Sequence, residues 1–517
     1  MRVLLCLLAG AIGLPAATCE SLASLALPSA TITEAQTFPG GLFTPPEGRP
    51  LPNLPPFCRV AGVIKPTTDS DIHFEVWMPS SGWNGKFAGV GNGGFAGSID
   101  FSSLGNLVAA SYVSAATDAG HHGNATDATW ALGHPQKVID FGYRAIHETA
   151  EKAKAIIAAF YGNGPKRSYF SSCSNGGRQA LMEAQRYPAD YDGIIAGAPA
   201  YFWTGLLSSG MWQQALLHDP ANAIPPGKLP AIEAAALAAC DALDGVQDGV
   251  IDNPPACHFD PSRLLCKGPE NDGCLTAPQL AVLQKIYEGP KDAKGRQIFP
   301  GYSPGGQTGV GGWAAWITGL PAGRAAGYLF STQFFSQMVF QNAAWDFRTF
   351  DVERDSKTAA DRFGAALNAV DPDLKRFQER GGKLIIYHGW SDPAISPLST
   401  VDYFESVEKK MGARNTGEFL RLFMVPGMQH CGGGPGPNSF SAPHDPRHDI
   451  RLALEHWVED GVGPDQIIAT KYKGPGPASG TERTRPLCPY PQVAQWKGSG
   501  STDDAANFTC VDQKRAQ

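Results

Sequence analysis

The chain has 517 residues, 43% of them hydrophobic, and a formal net charge of −7, enough for a substantial core and for more than one folded unit. No Lys/Arg-rich run occurs, so the electrostatic footprint of a nucleic-acid binder is missing and no such partner is expected. Sixty Gly and 42 Pro indicate many tight turns, without the period of collagen or of a solenoid.

The first element, MRVLLCLLAGAIGLPAATCE, has an early positive charge, an apolar run from Val3 to Leu14 and then small residues. It reads as a secretory signal over residues 1–18, with cleavage around Ala16 to Thr18. The run is too short to span a bilayer, and no other uncharged run approaches the required length of about 20 residues, so no membrane partner is expected. Acylation of Cys19 is the lipoprotein alternative, disfavoured because Pro-Ala-Ala-Thr-Cys lacks the aliphatic residue such sites prefer. Loss of the leader removes Cys6 and leaves ten of eleven cysteines. An even number in a secreted or periplasmic chain favours five disulfides. The sequons at Asn124 and Asn507 matter only in a host that glycosylates.

Next come short β-rich runs at HFEVWMP (73–79), KFAGVGNGG (86–94), ASYVSAATD (110–118), RSYFSSCS (167–174) and YDGIIAGAP (191–199), with helical segments at 138–162 and 177–188. This alternation predicts an α/β fold with a largely parallel sheet covered on both faces. From Tyr201 to Asp371 the alternation stops. That segment is rich in Gly, Pro and Trp, holds four cysteines and is too long for a plain loop, so residues 201–371 are expected to form an inserted lid domain. Sheet patterning resumes at KLIIYHGWSD (383–392) and RLFMVPGMQH (421–430), a helix is expected over 449–461, and a turn-rich tail follows. The core domain is therefore residues 19–200 and 372–517.

RSYFSSCSNGGRQALMEAQ combines a strand, a turn of small residues and a helix, the arrangement that presents a nucleophilic serine on a strained elbow. Ser174 is the candidate nucleophile, with Ser172 where such elbows usually have glycine. The N–H of Asn175, at the helix start, suits an oxyanion. The second donor is expected from GVGNGGFAGS (89–98), at Gly93 or Gly94; that loop lacks the G-x-G-x-x-G and long helix of a nucleotide site. Asp392 and His430 each follow a strand, giving the order Ser…Asp…His used by α/β-hydrolases. The carboxylate would orient the imidazole, and the imidazole would deprotonate the serine. His388 competes for the base role but lies in an apolar run, which favours a packed core position; His121 and His122 are further candidates for the cleft. A Gly-rich turn without chemistry is the plain alternative for the elbow. Cys173 is a rival nucleophile. However, if Ser174 and His430 meet, Cys173 and Cys431 are brought within bridging distance, and a brace there leaves no odd thiol.

With these motifs in view the chain resembles the tannase/feruloyl esterase family, which includes fungal feruloyl esterases, tannases and a bacterial mono(hydroxyethyl) terephthalate hydrolase. The carriers are CSNGGRQALMEAQRYPADYDGIIAGAPA (173–200), HGWSDPAISP (388–397) and GMQHCGGGPG (427–436). The resemblance implies the triad Ser174, Asp392 and His430 with the Cys173–Cys431 bridge. It also implies the pairs Cys19–Cys58, Cys240–Cys257, Cys266–Cys274 and Cys488–Cys510. In CDALDGVQDGVIDNPPAC (240–257), Asp241, Asp244 and Asp248 crowd a turn built on Gly245 and Gly249. Carboxylates so close suit Ca²⁺, a solvated acidic loop being the plain alternative. The resemblance adds carbonyl ligands from Val246 and Val250, and a structural role in the lid is expected. The implied activity is that of a secreted serine carboxylesterase acting on a small aromatic ester, hydroxycinnamoyl (feruloyl) or galloyl. The alternatives are terephthalate-monoester hydrolysis and a non-catalytic member that binds phenolics or polysaccharide.

Overall fold

The computed structural model describes residues 17–319, 325–442 and 445–512. The expected leader lies outside these residues except for Ala17 and Thr18. Nine strands form one sheet: β1 (Ala30–Phe38), β2 (Phe57–Ile64), β3 (Ile72–Pro79), β4 (Lys86–Val90), β5 (Val113–Thr117), β6 (Arg167–Cys173), β7 (Gly193–Gly197), β8 (Lys383–Gly389) and β9 (Leu420–Val425). Their order is β1-β2-β3-β5-β4-β6-β7-β8-β9. The first three pair antiparallel and β3 joins β5 antiparallel; from β5 to β9 every pairing is parallel. Two strands of this sheet, and a small pair formed by Gly41–Phe43 and Leu51–Leu54, thus precede the first strand expected from the sequence. β1 is an edge strand with mostly exposed or half-buried side chains, and its polar sequence ATITEAQTF gives no apolar run to recognise. Of the central strands, VSAAT of β5 and GIIAG of β7 are buried along their whole length.

The helical segment near residue 140 is interrupted. Pro135–Ile139 leads into one wide turn with i→i+5 bonding at Asp140–Arg144, and a regular helix then runs over Ala145–Tyr161. The helix after β6 covers Asn175–Arg186. Between β7 and β8 the chain adds no strand to the large sheet. The helices Trp203–Leu217 and Val352–Leu367 pack together there. A separate apolar cluster forms around Ile232, Leu264, Leu283, Ile286 and Trp313. The tail is more ordered than its turn-rich sequence indicates. Ile467–Tyr472 pairs with Thr481–Leu487, and Gln492–Trp496 pairs with Phe508–Asp512. Five disulfides join Cys19 to Cys58, Cys173 to Cys431, Cys240 to Cys257, Cys266 to Cys274 and Cys488 to Cys510. Among the described residues no helix is long and apolar enough to cross a membrane.

The carboxyl ends of β4, β6, β8 and β9 lie on one edge of the parallel sheet, where α/β folds gather their ligands. Close approach of β7 to β8 helps set that edge: a Cβ on Gly197 would lie 2.3 Å from the Tyr387 ring, and the Gly197 carbonyl accepts the Ser174 N–H at 2.9 Å. Gly197→Ala is therefore expected to destabilise the fold by about 1–3 kcal/mol through overpacking, measured by urea unfolding.

Candidate active site

Ser174 stands between β6 and the helix Asn175–Arg186 with φ 67° and ψ −125°, a strained conformation for a residue with a side chain. Glycines make room for it. A Cβ on Gly176 would sit 1.9 Å from Ser172 Oγ, and one on Gly177 would sit 2.3 Å from the Gly197 carbonyl oxygen. The serine at 172 thus fills space beside Gly176.

His430 follows β9 and Asp392 follows β8. His430 Nε2 lies 2.9 Å from Ser174 Oγ, and His430 Nδ1 lies 2.8 Å from Asp392 Oδ2. Asp392 is buried, and its Oδ1 accepts the N–H groups of Ala394 at 2.8 Å and Ile395 at 3.0 Å. Burial alone would raise its pKa; the facing rings of His430 and His388 outweigh burial and hold it well below the usual carboxylate range. His388 touches Asp392 Oδ2 through Nε2 at 3.0 Å and Thr400 Oγ1 through Nδ1 at 2.7 Å. It is thus a fully buried neighbour of Asp392 that does not line the cavity at Ser174.

The disulfide between Cys173 and Cys431 has a Cα–Cα distance of 6.1 Å and spans a sequence separation of 258. It ties the residue before Ser174 to the residue after His430, and it leaves Cys173 no thiolate with which to attack. His121 is buried, stacks on Trp130 with ring centroids 3.8 Å apart and contacts the Phe95 carbonyl at 2.7 Å. Burial pulls its pKa down to about 4. His122 faces Glu47 at the surface, and neither histidine lines the cavity at Ser174.

That cavity has a volume of about 400 Å³. Gly93, Gly94 and Asn175 line it beside Ser174 and His430, and their backbone N–H groups have no acceptor among the described residues. Gly94 has φ 54°, and a Cβ there would meet the Ala125 carbonyl oxygen at 2.2 Å; at Gly93 a Cβ would meet nothing. Trp203, Leu206, Leu207, Trp316, Phe330 and Ile395 supply apolar walls. Trp316 also packs edge-on against His430, with ring centroids 5.1 Å apart. Gln213, Tyr302 and Ser331 add polar atoms, and no described lining residue is an Asp, Glu, Lys or Arg.

Sequence reasoning missed the residues that hold these parts together. Asn92 donates its N–H to Gln179 Oε1 at 2.9 Å, and Gln179 Nε2 donates to Asn92 Oδ1 at 3.1 Å, locking the glycine loop to the helix behind Ser174. Gln429, the residue before His430, donates to the carbonyls of Gly306 at 3.2 Å and Thr308 at 2.7 Å. The one available signal was the set of polar residues Arg178, Gln179 and Glu183 in the helix behind Ser174, and all three are buried.

The acidic loop lies apart from this cavity. Asp241 accepts the N–H groups of Asp248 at 3.2 Å and Gly249 at 3.1 Å, and Asp244 accepts that of Val246 at 2.9 Å. Asp248 accepts the Val250 N–H at 3.2 Å and pairs with Arg483 at 2.6 Å and with Arg485. One oxygen each of Asp244 and Asp252 is buried without a hydrogen-bond partner. Burial and neighbouring carboxylates push both pKa values up, that of Asp252 well above its ordinary range. Among the described residues no three His, Cys, Asp or Glu side chains converge closely enough to hold an ion. The two orphaned oxygens are nevertheless the environment that a hard cation with oxygen ligands relieves.

A model of the family described as tannase and feruloyl esterase matches residues 58–511. The chain is 45% identical to an uncharacterised esterase of Xanthomonas campestris pv. campestris, over 96% of this chain and 92% of that one. It is 35% identical to the mono(2-hydroxyethyl) terephthalate hydrolase of Piscinibacter sakaiensis, over 89% and 85% of the two chains. Among solved structures, feruloyl esterase B from Aspergillus oryzae superposes with a TM-score of 0.88 at 29% identity, covering 95% of this chain and 99% of that one.

Replacing both Cys173 and Cys431 with serine tests the brace. Loss of the bridge is expected to lower stability by about 2–5 kcal/mol and turnover by at least about tenfold through a loosened Ser174–His430 pair. Thermal unfolding and aryl-ester kinetics on the same samples read both effects.

Proposed function

The chain belongs to the tannase and feruloyl esterase family, and we propose that it is an exported serine esterase for uncharged, hydroxylated aromatic acyl groups, with Ser174 as nucleophile, His430 as base and Asp392 as its orienting partner. The relatives in that family make it a carboxylic ester hydrolase. The observation that carries the assignment of roles is the unbroken line from Ser174 Oγ through His430 to Asp392, at 2.9 and 2.8 Å, opening onto free N–H groups.

Ser174 Oγ attacks the ester carbonyl as its proton passes to His430 Nε2. The negative charge that forms on the carbonyl oxygen is taken by the N–H groups of Asn175 and of Gly93 or Gly94. Collapse expels the alcohol, protonated by His430, and water then enters by the same route to release the acid. Flat apolar walls from Trp203, Trp316 and Phe330 suit an aromatic acyl group, and Ser331 Oγ, buried without a partner, suits a phenolic hydroxyl. A terephthalate monoester brings a carboxylate, which favours a cationic lining that the described cavity residues do not supply. Five disulfides support the exported reading.

We read residues 241–252 as a structural calcium loop in a lid formed by residues 201–371. Asp241, Asp244 and Asp248, with the Val246 and Val250 carbonyls, are the proposed ligands, which the ion would draw closer than they stand in this structure, and Asp252 is a further buried carboxylate beside them. The ion would supply positive charge to a crowded set of oxygens and take no part in the chemistry.

Three outcomes are expected. Ser174→Ala abolishes turnover of an activated aryl ester, and unchanged turnover sinks the assignment. In a panel of methyl ferulate, methyl gallate and a terephthalate monoester, one of the two phenolic esters gives the highest kcat/KM; a preference for the terephthalate ester reverses the substrate reading. Chelation lowers the melting temperature, and saturating Ca²⁺ at about a hundredfold its Kd restores about 2.7 kcal/mol. The effect has a defined pH sign. Carboxyls with raised folded-state pKa values favour the metal-free fold below their unfolded pKa of about 4, and that support is lost as pH rises through the folded values. The chelator effect is therefore larger at pH 8 than at pH 5; a melting curve indifferent to chelator removes the calcium reading.

A further inference from the structure

Arg178 occupies the first turn of the helix behind Ser174, where the helix dipole disfavours a cation. It is completely buried. Its guanidinium donates to Asn175 Oδ1 from Nε at 2.9 Å and from Nη2 at 2.7 Å. It also donates to the carbonyls of Gly142 at 2.7 Å, Phe141 at 3.0 Å and Leu367 at 3.4 Å. The Phe141 and Gly142 carbonyls belong to the wide turn Asp140–Arg144. The rings of Phe141 and Trp203 face the charge at 4.7 and 5.1 Å. Every acceptor is neutral. Burial pulls the pKa down to about 9 with no neighbouring charge opposing it, so the group remains a cation at neutral pH.

An unmatched buried cation is costly, and position 175 could relieve it. Asn175 gives Arg178 its Oδ1, while its own Nδ2 is buried without an acceptor. An aspartate in the same place would remove that orphan donor and add an ion pair. Stability alone therefore favours Asp, yet the chain has Asn. The nearest carboxylate on the wide turn, Asp140, is already paired with Arg144, whereas negative charge arises during the reaction on the substrate oxygen at the N–H of the same residue. There the Ser174 Oγ–carbon bond forms, the carbonyl π pair moves onto oxygen, and the serine proton goes to His430 Nε2.

We propose that Arg178 is a positioning residue whose unmatched positive charge, held against the Asn175 side chain, stabilises the oxyanion of the tetrahedral intermediate through the Asn175 N–H. The inference rests on the esterase reading of Ser174. The ester in its ground state is neutral and gains little from the cation, so the charge acts on kcat more than on KM.

The test is Asn175→Asp, which neutralises Arg178 without removing it. With a neutral aryl ester, kcat is expected to fall about tenfold to a hundredfold with KM within about twofold, while the melting temperature stays level or rises. Arg178→Gln should lose kcat to the same extent, and Arg178→Lys, which keeps the charge, should stay within about fivefold of the parent. Inhibition by a phenylboronic acid, whose serine adduct is anionic, should weaken in step with kcat. Full kcat in Asn175→Asp overturns the proposal, as does equal loss in Arg178→Lys and Arg178→Gln, or a loss confined to KM. Should Arg178→Gln fail to fold, Asn175→Asp still decides. A Ser174→Ala variant that keeps its turnover indicts the esterase reading instead; an inactive Ser174→Ala beside a fully active Asn175→Asp indicts only the role of Arg178.

Discussion

The molecule is organised around one strained residue. Ser174 holds a backbone conformation with φ 67°, and it does so because its N–H is captured by the Gly197 carbonyl on β7 while its own carbonyl accepts the N–H groups of Arg178 and Ala200, both at 3.1 Å. These bonds are made by the sheet and the following helix, so the elbow is only as well placed as the packing of β6, β7 and β8. Strain of this kind persists where the surroundings over-determine it. Here they include a disulfide on the preceding residue and a helix start on the following one.

The rest of the chain reaches this point from two directions. β8 and β9 deliver Asp392 and His430 as neighbours across one parallel pairing, so their separation is set by sheet geometry. The segment between β7 and β8 returns to lean Trp316 on the His430 ring and to accept hydrogen bonds from Gln429. Away from the cavity, the tail sends Arg483 and Arg485 to Asp248, fixing the acidic loop against the strand Thr481–Leu487. The cavity wall, His430 and the acidic loop are therefore each held by partners far apart in sequence.

Much of this was legible because the proposed reacting groups sit in short local patterns. Ser174, Asp392 and His430 each follow an apolar run that ends in small or turn-forming residues, and such runs identify strand ends without knowledge of the partner strands. The cysteines beside two of them made the bridge readable as well. What was not legible depends on distant pairs. Asn92 and Gln179 are 87 residues apart, and nothing in either neighbourhood names the other. β1 was hidden by its exposed, polar edge, and the tail hairpins were hidden by sequence such as TERTRPL, whose charges read as a surface segment although Arg485 is buried. Asp252 lies inside the expected acidic stretch, four residues after Asp248, and looks like a surface turn until its burial is known.

Ser172 shows how such a site constrains its own variation. Its side chain occupies the space that would belong to Cβ atoms on two glycines from different parts of the chain, lying 1.9 Å from the position of one on Gly176 and 2.9 Å from that of one on Gly91. The three positions hold one side chain among them. A larger residue at 176 therefore needs the space that the serine now fills, and one at 91 needs in addition that Gln179, whose Oε1 lies 2.5 Å from the position of a Cβ there, give up its bond to Asn92.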